Sequence, residues 1–275
     1  EYPLTVKAPP DSSISQQYEF VSAKVVNNHV DLVKNFITID KGKDYDERII
    51  LKKLPGIEKP QYANLKAHLY KELLASLRLL KSSDSIDLQL HEQLDYARIL
   101  YNKGLYLQSL KILERAKDLA KHYHQESFLI QVISLEKKIE TLHITRSGEG
   151  AADKLTEEAN DVNRQRNEIT TLSNLALQLY QWYVKHGHAR NIKDEKGVRE
   201  FFKQNLQIDT TNLTGFYQML YLYQSYCWYA FIRQDFLMYY RYSKKWVDLF
   251  NQEPLMITVE TGHYIKGLHN LLTAN

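Results

Sequence analysis

Residues 90–121, LHEQLDYARILYNKGLYLQSLKILERAKDLAK, decide the fold class of this chain. Leu90, Leu94, Ala97 and Tyr101 recur at spacings of three and four, which places them on one face of a helix. Lys103-Gly104 breaks that helix. Tyr106, Leu110, Leu113 and Leu119 then open a second stripe of the same period, running to His122. Two amphipathic helices joined by so short a turn form an antiparallel pair, and each needs further helices to cover its apolar face.

The pattern continues on both sides. Leu65, Leu69, Leu73, Leu77 and Leu80 predict a helix after Pro60, ended by Ser82-Ser83-Asp84-Ser85, which also offers a cap for the next one. Phe128, Val132, Leu135, Ile139 and Leu142 predict a fourth stripe. The run Arg146-Ser147-Gly148-Glu149-Gly150 reads as a loop and candidate hinge. No breaker interrupts 151–186, where Leu155, Ala159, Val162, Ile169, Leu172, Ala176, Leu179 and Tyr183 share one face. A continuous helix there would span on the order of 50 Å. Its first half is polar off the stripe and is expected to project from the body. Helices are expected over 194–206, 213–232, 236–251 and 261–274. Upstream, Pro3, Pro9 and Pro10 predict an extended lead-in over 1–17, followed by an N-terminal helical segment over 18–60 that closes with Pro55-Gly56 and Pro60. The expected fold is all-α.

Composition agrees. Only 10 Gly and 6 Pro occur in 275 residues, with most of the Pro before Gln61, so the remainder holds few helix breakers. The formal charge of +3 is too even for a surface that tracks phosphates, and no nucleic-acid partner is expected. Cys227 stands alone, which excludes a disulfide framework and favours a reducing compartment such as the cytoplasm. No apolar run reaches the length of a membrane span, and no membrane partner is expected. The chain starts at Glu1, so a removed signal peptide is compatible with it. The sequence leaves the oligomeric state open.

Chemistry-bearing motifs are missing. No phosphate-binding glycine loop, nucleophile elbow or kinase set occurs, so a non-enzymatic role without cofactors is expected. The pairs His122/His124 and His186/His188 fall at predicted helix ends, lack further ligands, and read as helix caps rather than metal sites. Lys52-Lys53, Lys137-Lys138, Arg164/Arg166 and Lys244-Lys245 are interleaved with acids or apolar residues and read as solvated helix faces. Asn212-Leu213-Thr214 matches a glycosylation acceptor triplet.

Residues 90–121 resemble one tetratricopeptide (TPR) unit. Ala97 holds the small position of the first helix, Gly104 and Tyr106 the turn, and Ser109, Leu113 and Ala116 the small-bulky-small set of the second. Gln93 replaces the family's first aromatic and Lys121 its closing proline. Weaker echoes lie at 185–205, through Lys185-His186-Gly187-His188, and at 223–251. There Tyr223, Cys227 and Phe236 fit, while Tyr239 and Trp246 stand where small residues belong. The resemblance implies antiparallel hairpins stacked as a TPR-like right-handed superhelix, with TPR-like pairs over 61–146 and again, after the long helix, within 151–275. The amphipathic end (Tyr264, Leu268, Leu271, Leu272) is expected to continue into a longer chain or to pair.

It further implies a concave face that takes a peptide or protein partner. Leu94, Arg98, Tyr101 and Asn102 would line it, as would Tyr221, Gln224, Trp228 and Phe231. Such a module would serve as a scaffold or regulatory domain. The alternative is a sensor domain with a small ligand in an aromatic pocket around Trp228. The plainer reading of the tyrosine-rich run 216–250 is a central helix pair with hydroxyls reaching the solvent edge.

Overall fold

The computed structural model describes residues 59–81, 85–143 and 150–274. The expected lead-in over 1–17, the segment over 18–58 and residues 146–149 of the candidate hinge lie outside the described residues. The chain divides into two compact units, 1–89 and 90–275. The first contributes α1 (Lys59–Lys81). Next comes α2 (Ile86–Asn102), followed by α3 (Tyr106–His122), α4 (Glu126–His143) and α5 (Ala151–His186). Then follow α6 (Ile192–Asn205), α7 (Phe216–Arg233), α8 (Phe236–Gln252), a short α9 (Leu255–Val259) and α10 (Thr261–Thr273). Among the described residues there is no strand, and the fold is all-α.

The hairpin read from 90–121 closes as its pattern demands. Leu94, Ala97, Leu110, Leu113 and Ala116 share one core with Val132 and Ile139 of α4. The Ser109 hydroxyl donates to the Ala97 carbonyl at 2.8 Å, a contact that only small residues permit. Gly104 adopts φ +76° at the turn. Seven residues after Cys227, Gln234 takes the same left-handed conformation (φ 55°), just as Gly104 follows seven after Ala97.

Helix directions follow from side-chain pairs within the second unit. His91 meets Phe128 and Tyr101 meets His143, so α2 and α4 run parallel. Glu168 pairs with Gln218, and Tyr183 with Phe231, so α5 and α7 are parallel too. Phe216 against Phe250 and Tyr226 against Tyr242 make α7 and α8 antiparallel. Helix α10 returns along α8, with Tyr264 on Phe250 and Gly267 on Trp246. A Cβ at Gly267 would lie 3.0 Å from the wholly buried Trp246 ring. The bulky residue in the small slot of the second echo thus finds its room in the neighbouring helix.

The first half of α5 does not project. Ala159 and Val162 are buried, and polar residues beside them are fastened to the earlier helices. Lys117 of α3 bridges Glu136 of α4 and Glu158 of α5, the latter at 2.8 Å, while Lys121 reaches Glu158 at 2.5 Å. Arg166 donates to the Ser127 hydroxyl at 2.5 Å. Part of the polar content that looked like solvated surface, Glu158 above all, belongs to an ionic seam between three helices, while Asp153, Lys154 and Glu157 are exposed. The two halves of α5 therefore serve different neighbours: α3 and α4 on one, α6 and α7 on the other.

Burial alone would push the Lys117 pKa down and that of Glu158 up. Hydrogen bonds and charge attraction from Glu136 and Glu158 on Lys117, and from Lys117 and Lys121 on Glu158, reverse both, holding Lys117 above the usual lysine range and Glu158 below the usual carboxylate range. The seam is therefore fully effective between those ranges. Its contribution falls away as pH drops through the depressed pKa of Glu158, and again as pH rises through the raised pKa of Lys117. Lys117→Ala is expected to cost about 3 kcal/mol at neutral pH. In urea unfolding the gap between variant and parent should narrow once the medium is more acid than the carboxylate range; a gap that stays constant would refute the seam. Gln234→Gly, which relieves a left-handed non-glycine residue, should add about 1 kcal/mol in the same assay.

Candidate functional site

Helix α7 carries no acidic residue and is flanked by packed helices on two sides. It starts at Gly215, whose N–H donates to Gln218 Oε1 at 2.7 Å. Phe216, Leu220, Cys227 and Ala230 turn into the core with α8 and α9. Leu222, Tyr229 and Ile232 turn toward α5 and α6. Among the half-buried residues that remain, Tyr217, Tyr221, Gln224, Trp228 and Phe231 form a stripe at helical spacing, while Tyr223 and Tyr226 pack on Tyr242 of α8.

Side chains of α5 and α10 border this stripe. Tyr180 and Tyr183 of α5 contact the Trp228 ring at centroid distances of 5.2 and 5.8 Å, and Tyr183 also meets Phe231. Leu177 and Val184, on either side of the exposed Tyr180, are themselves exposed. On the other side, Tyr217 donates to Glu260 at 2.8 Å, and the His263 ring sets its edge on Tyr221. His263 Nδ1 lies 2.8 Å from the second Glu260 oxygen. This partner, helped by Tyr217 and opposed by burial, holds Glu260 below the usual carboxylate range. Burial and Glu260 raise the pKa of Tyr217 and Tyr221, so both phenols stay protonated hydrogen-bond donors.

All four residues expected on this helix, Tyr221, Gln224, Trp228 and Phe231, therefore share one partly open face. The set expected on α2 fares differently. Leu94 is only 1% exposed and belongs to the hairpin core. It cannot line a groove, because the stripe that makes α2 recognisable as a helix is the one it buries. Arg98 is exposed, 3.6 Å from Asp95 and 3.4 Å from Gln131. Tyr101 packs on Tyr106 and His143, with Lys138 Nζ 4.8 Å from its ring centre. Asn102 is exposed. Among the described residues no ring contact, hydrogen bond or ion pair joins the α2 set to the α7 set.

Leu177, Tyr180 and Val184 were missed by reading 151–186 as one apolar face. Their spacing of three and four is a second stripe, off the first, and was visible in the residues. The histidines also depart from simple capping. His124, with φ 52°, sits 2.5 Å from Glu253 and stacks on Phe216, which ties the α3–α4 turn to the start of α7 and the end of α8. His188 Nδ1 lies 2.9 Å from the Phe231 carbonyl, so it serves the end of α7 rather than that of α5. Among the described residues no group of three or more His, Cys, Asp or Glu could hold a metal ion, and no helix is long and apolar enough to cross a membrane.

Cys227 lies beneath the stripe, 3.6 Å from the Ser243 hydroxyl. Burial pushes its thiol pKa up to about 12, with Ser243 only partly offsetting that. The thiol should stay unreactive toward a disulfide reagent in the native protein and react within the unfolding time once denaturant is added. Rapid native labelling would contradict this packing.

Compared with family models, curated proteins and solved structures, the chain matches none of them.

Proposed function

We propose that this chain is a non-enzymatic, TPR-like binding module whose α5–α7–α10 face receives an extended peptide or a partner helix. The observation that carries the reading is the partly open row Tyr217, Tyr221, Gln224, Trp228 and Phe231, bordered by exposed apolar residues of α5. Tyrosine and tryptophan bury much area with few rotatable bonds, and such residues dominate the energetics of protein interfaces. Gln224, in the middle of the row, offers both a donor and an acceptor to a main chain.

Local features support the TPR-like part of the reading. Ala97, Ser109, Leu113 and Ala116 are buried where the family needs close helix approach. The left-handed residues Gly104 and Gln234 sit at equivalent offsets in the two hairpins α2/α3 and α7/α8. The parallel pairs α2–α4 and α5–α7 fit first helices of successive units. On this reading the hairpins form two sets, because α5 continues where a regular array would turn. The right-handed superhelical course and the role of scaffold or regulatory domain belong to the same proposal.

The rings near Trp228 pack on one another, which favours a surface for side chains over a ready chamber for a small ligand. Selection of displayed peptides on the immobilised chain tests the proposal. Selected sequences should bind the parent, lose about tenfold or more with Trp228→Ala or Tyr221→Ala, and keep their affinity with Leu107→Ala on α3. Peptides insensitive to both aromatic changes would refute it. A metabolite-library hit that raises the melting temperature only when Trp228 is intact would favour the sensor reading.

A further inference from the structure

At the carboxyl end of α5, the turn over 187–191 lies against the turn that joins α7 to α8. His188 Nδ1 is 2.9 Å from the Phe231 carbonyl, and the Ala189 N–H donates to the Ile232 carbonyl at 2.8 Å. Helices α5 and α7 arrive at this end of the bundle, and α6 and α8 leave it. Four large apolar side chains stand in water there: Val184 is 66% exposed, Ile192 73%, Phe236 71% and Leu237 69%. Scattered exposed apolar residues are ordinary, but four on the helix ends that flank two adjoining turns give this end of the bundle an apolar surface that calls for an occupant.

The charge around the patch is one-sided. Residues 169–193 include no Asp or Glu. The acids that follow are consumed within the turns. Asp194 accepts the Arg190 N–H at 3.1 Å, Asp235 accepts the Met238 N–H at 3.0 Å, and Glu195 takes both Arg199 and Arg233 at 2.9 Å. The exposed side chains of Lys185, Arg190, Lys193, Lys196 and Arg241 have no acidic partner among the described residues. The next exposed acid along α6, Glu200, is about 12 Å beyond Ile192 at 1.5 Å per residue.

We infer that this bundle end docks on an anionic lipid surface. Val184, Ile192, Phe236 and Leu237 enter the headgroup layer, while the basic side chains meet lipid phosphates and carboxylates. Side chains two-thirds exposed or more do not line a walled groove, so a peptide would gain little from them. A bilayer needs no groove: apolar tips enter it and a ring of lysine and arginine is held at its charged face. Nucleic acid would meet the basic groups but leave the apolar tips unburied. Resting on a membrane differs from spanning one, so the lack of a spanning helix among the described residues bears on neither side of this inference. It does not rest on the peptide-binding reading, which shares only Val184 with it.

Cosedimentation of the full chain with phosphatidylcholine–phosphatidylserine vesicles tests it, with phosphatidylcholine vesicles as the control. The parent should sediment with the anionic vesicles alone and be released by high salt. Phe236→Ser/Leu237→Ser should weaken binding about tenfold, as should Arg190→Glu/Lys193→Glu, with helix content by circular dichroism unchanged in both. Absence of sedimentation at low salt overturns the inference, as does binding that neither double variant diminishes. Retention on duplex DNA or on polyglutamate without vesicle binding also overturns it, and assigns this end to an acidic polymer.

Discussion

The second unit depends on burying one long helix along its whole length. At 36 residues, α5 is far longer than its partners, and an isolated helix has little reason to stay straight and folded in water. Ala159 and Val162 anchor its first half, and Leu172, Leu175, Ala176 and Leu179 its second. Between these stretches, Arg166 and Glu168 hold Ser127 and Gln218, which belong to the two different sets of neighbours. Removing either set would expose an apolar stripe on α5, so the two sets need each other although few contacts join them directly. His124 with Glu253 and Phe216 is the main exception, and it spans 129 positions of chain.

This arrangement explains how polar residues hold together an interface that hydropathy reads as surface. In the first half of α5, Glu158 meets the opposite charges of Lys117 and Lys121 on α3, and Arg166 meets the Ser127 hydroxyl of α4, while Asp153, Lys154 and Glu157 stay exposed. Sequence shows the charges of α5 and of α3 separately. Their complementarity appears only once the helices are side by side. The expectation of a projecting helix failed for that reason, whereas the helix itself was legible to its last residue because no breaker interrupts 151–186.

Much else was legible where local chemistry decides. The hairpin over 90–121 announces itself by periodicity and by Gly104, and α8 begins where the Asp235 side chain caps it, one residue before Phe236. The boundary of α7 was less clear. Leu213 continues the apolar pattern and is buried, yet it lies outside the helix, because Asp209 turns the chain through Thr211 and Asn212 and Gly215 makes the true start. Among candidate site residues, those on α7 emerged together because that helix is apolar on every side and cannot bury all of it. Leu94 did not, because α2 has a single apolar face and packing claims it. Gln234 took the left-handed turn position without any glycine to mark it.

The three tryptophans sit in different surroundings: Trp246 is sealed in the α8–α10 core, Trp228 lies half-buried on the candidate face, and Trp182, also half-buried, rests on Phe201 near the end of α5. Each indole therefore has its own polarity and its own quenchers. The protein carries intrinsic optical reporters whose emission colours should separate. One follows global cooperativity, one follows occupancy of the α7 row, and one follows events at the far tip, with no dye or tag needed.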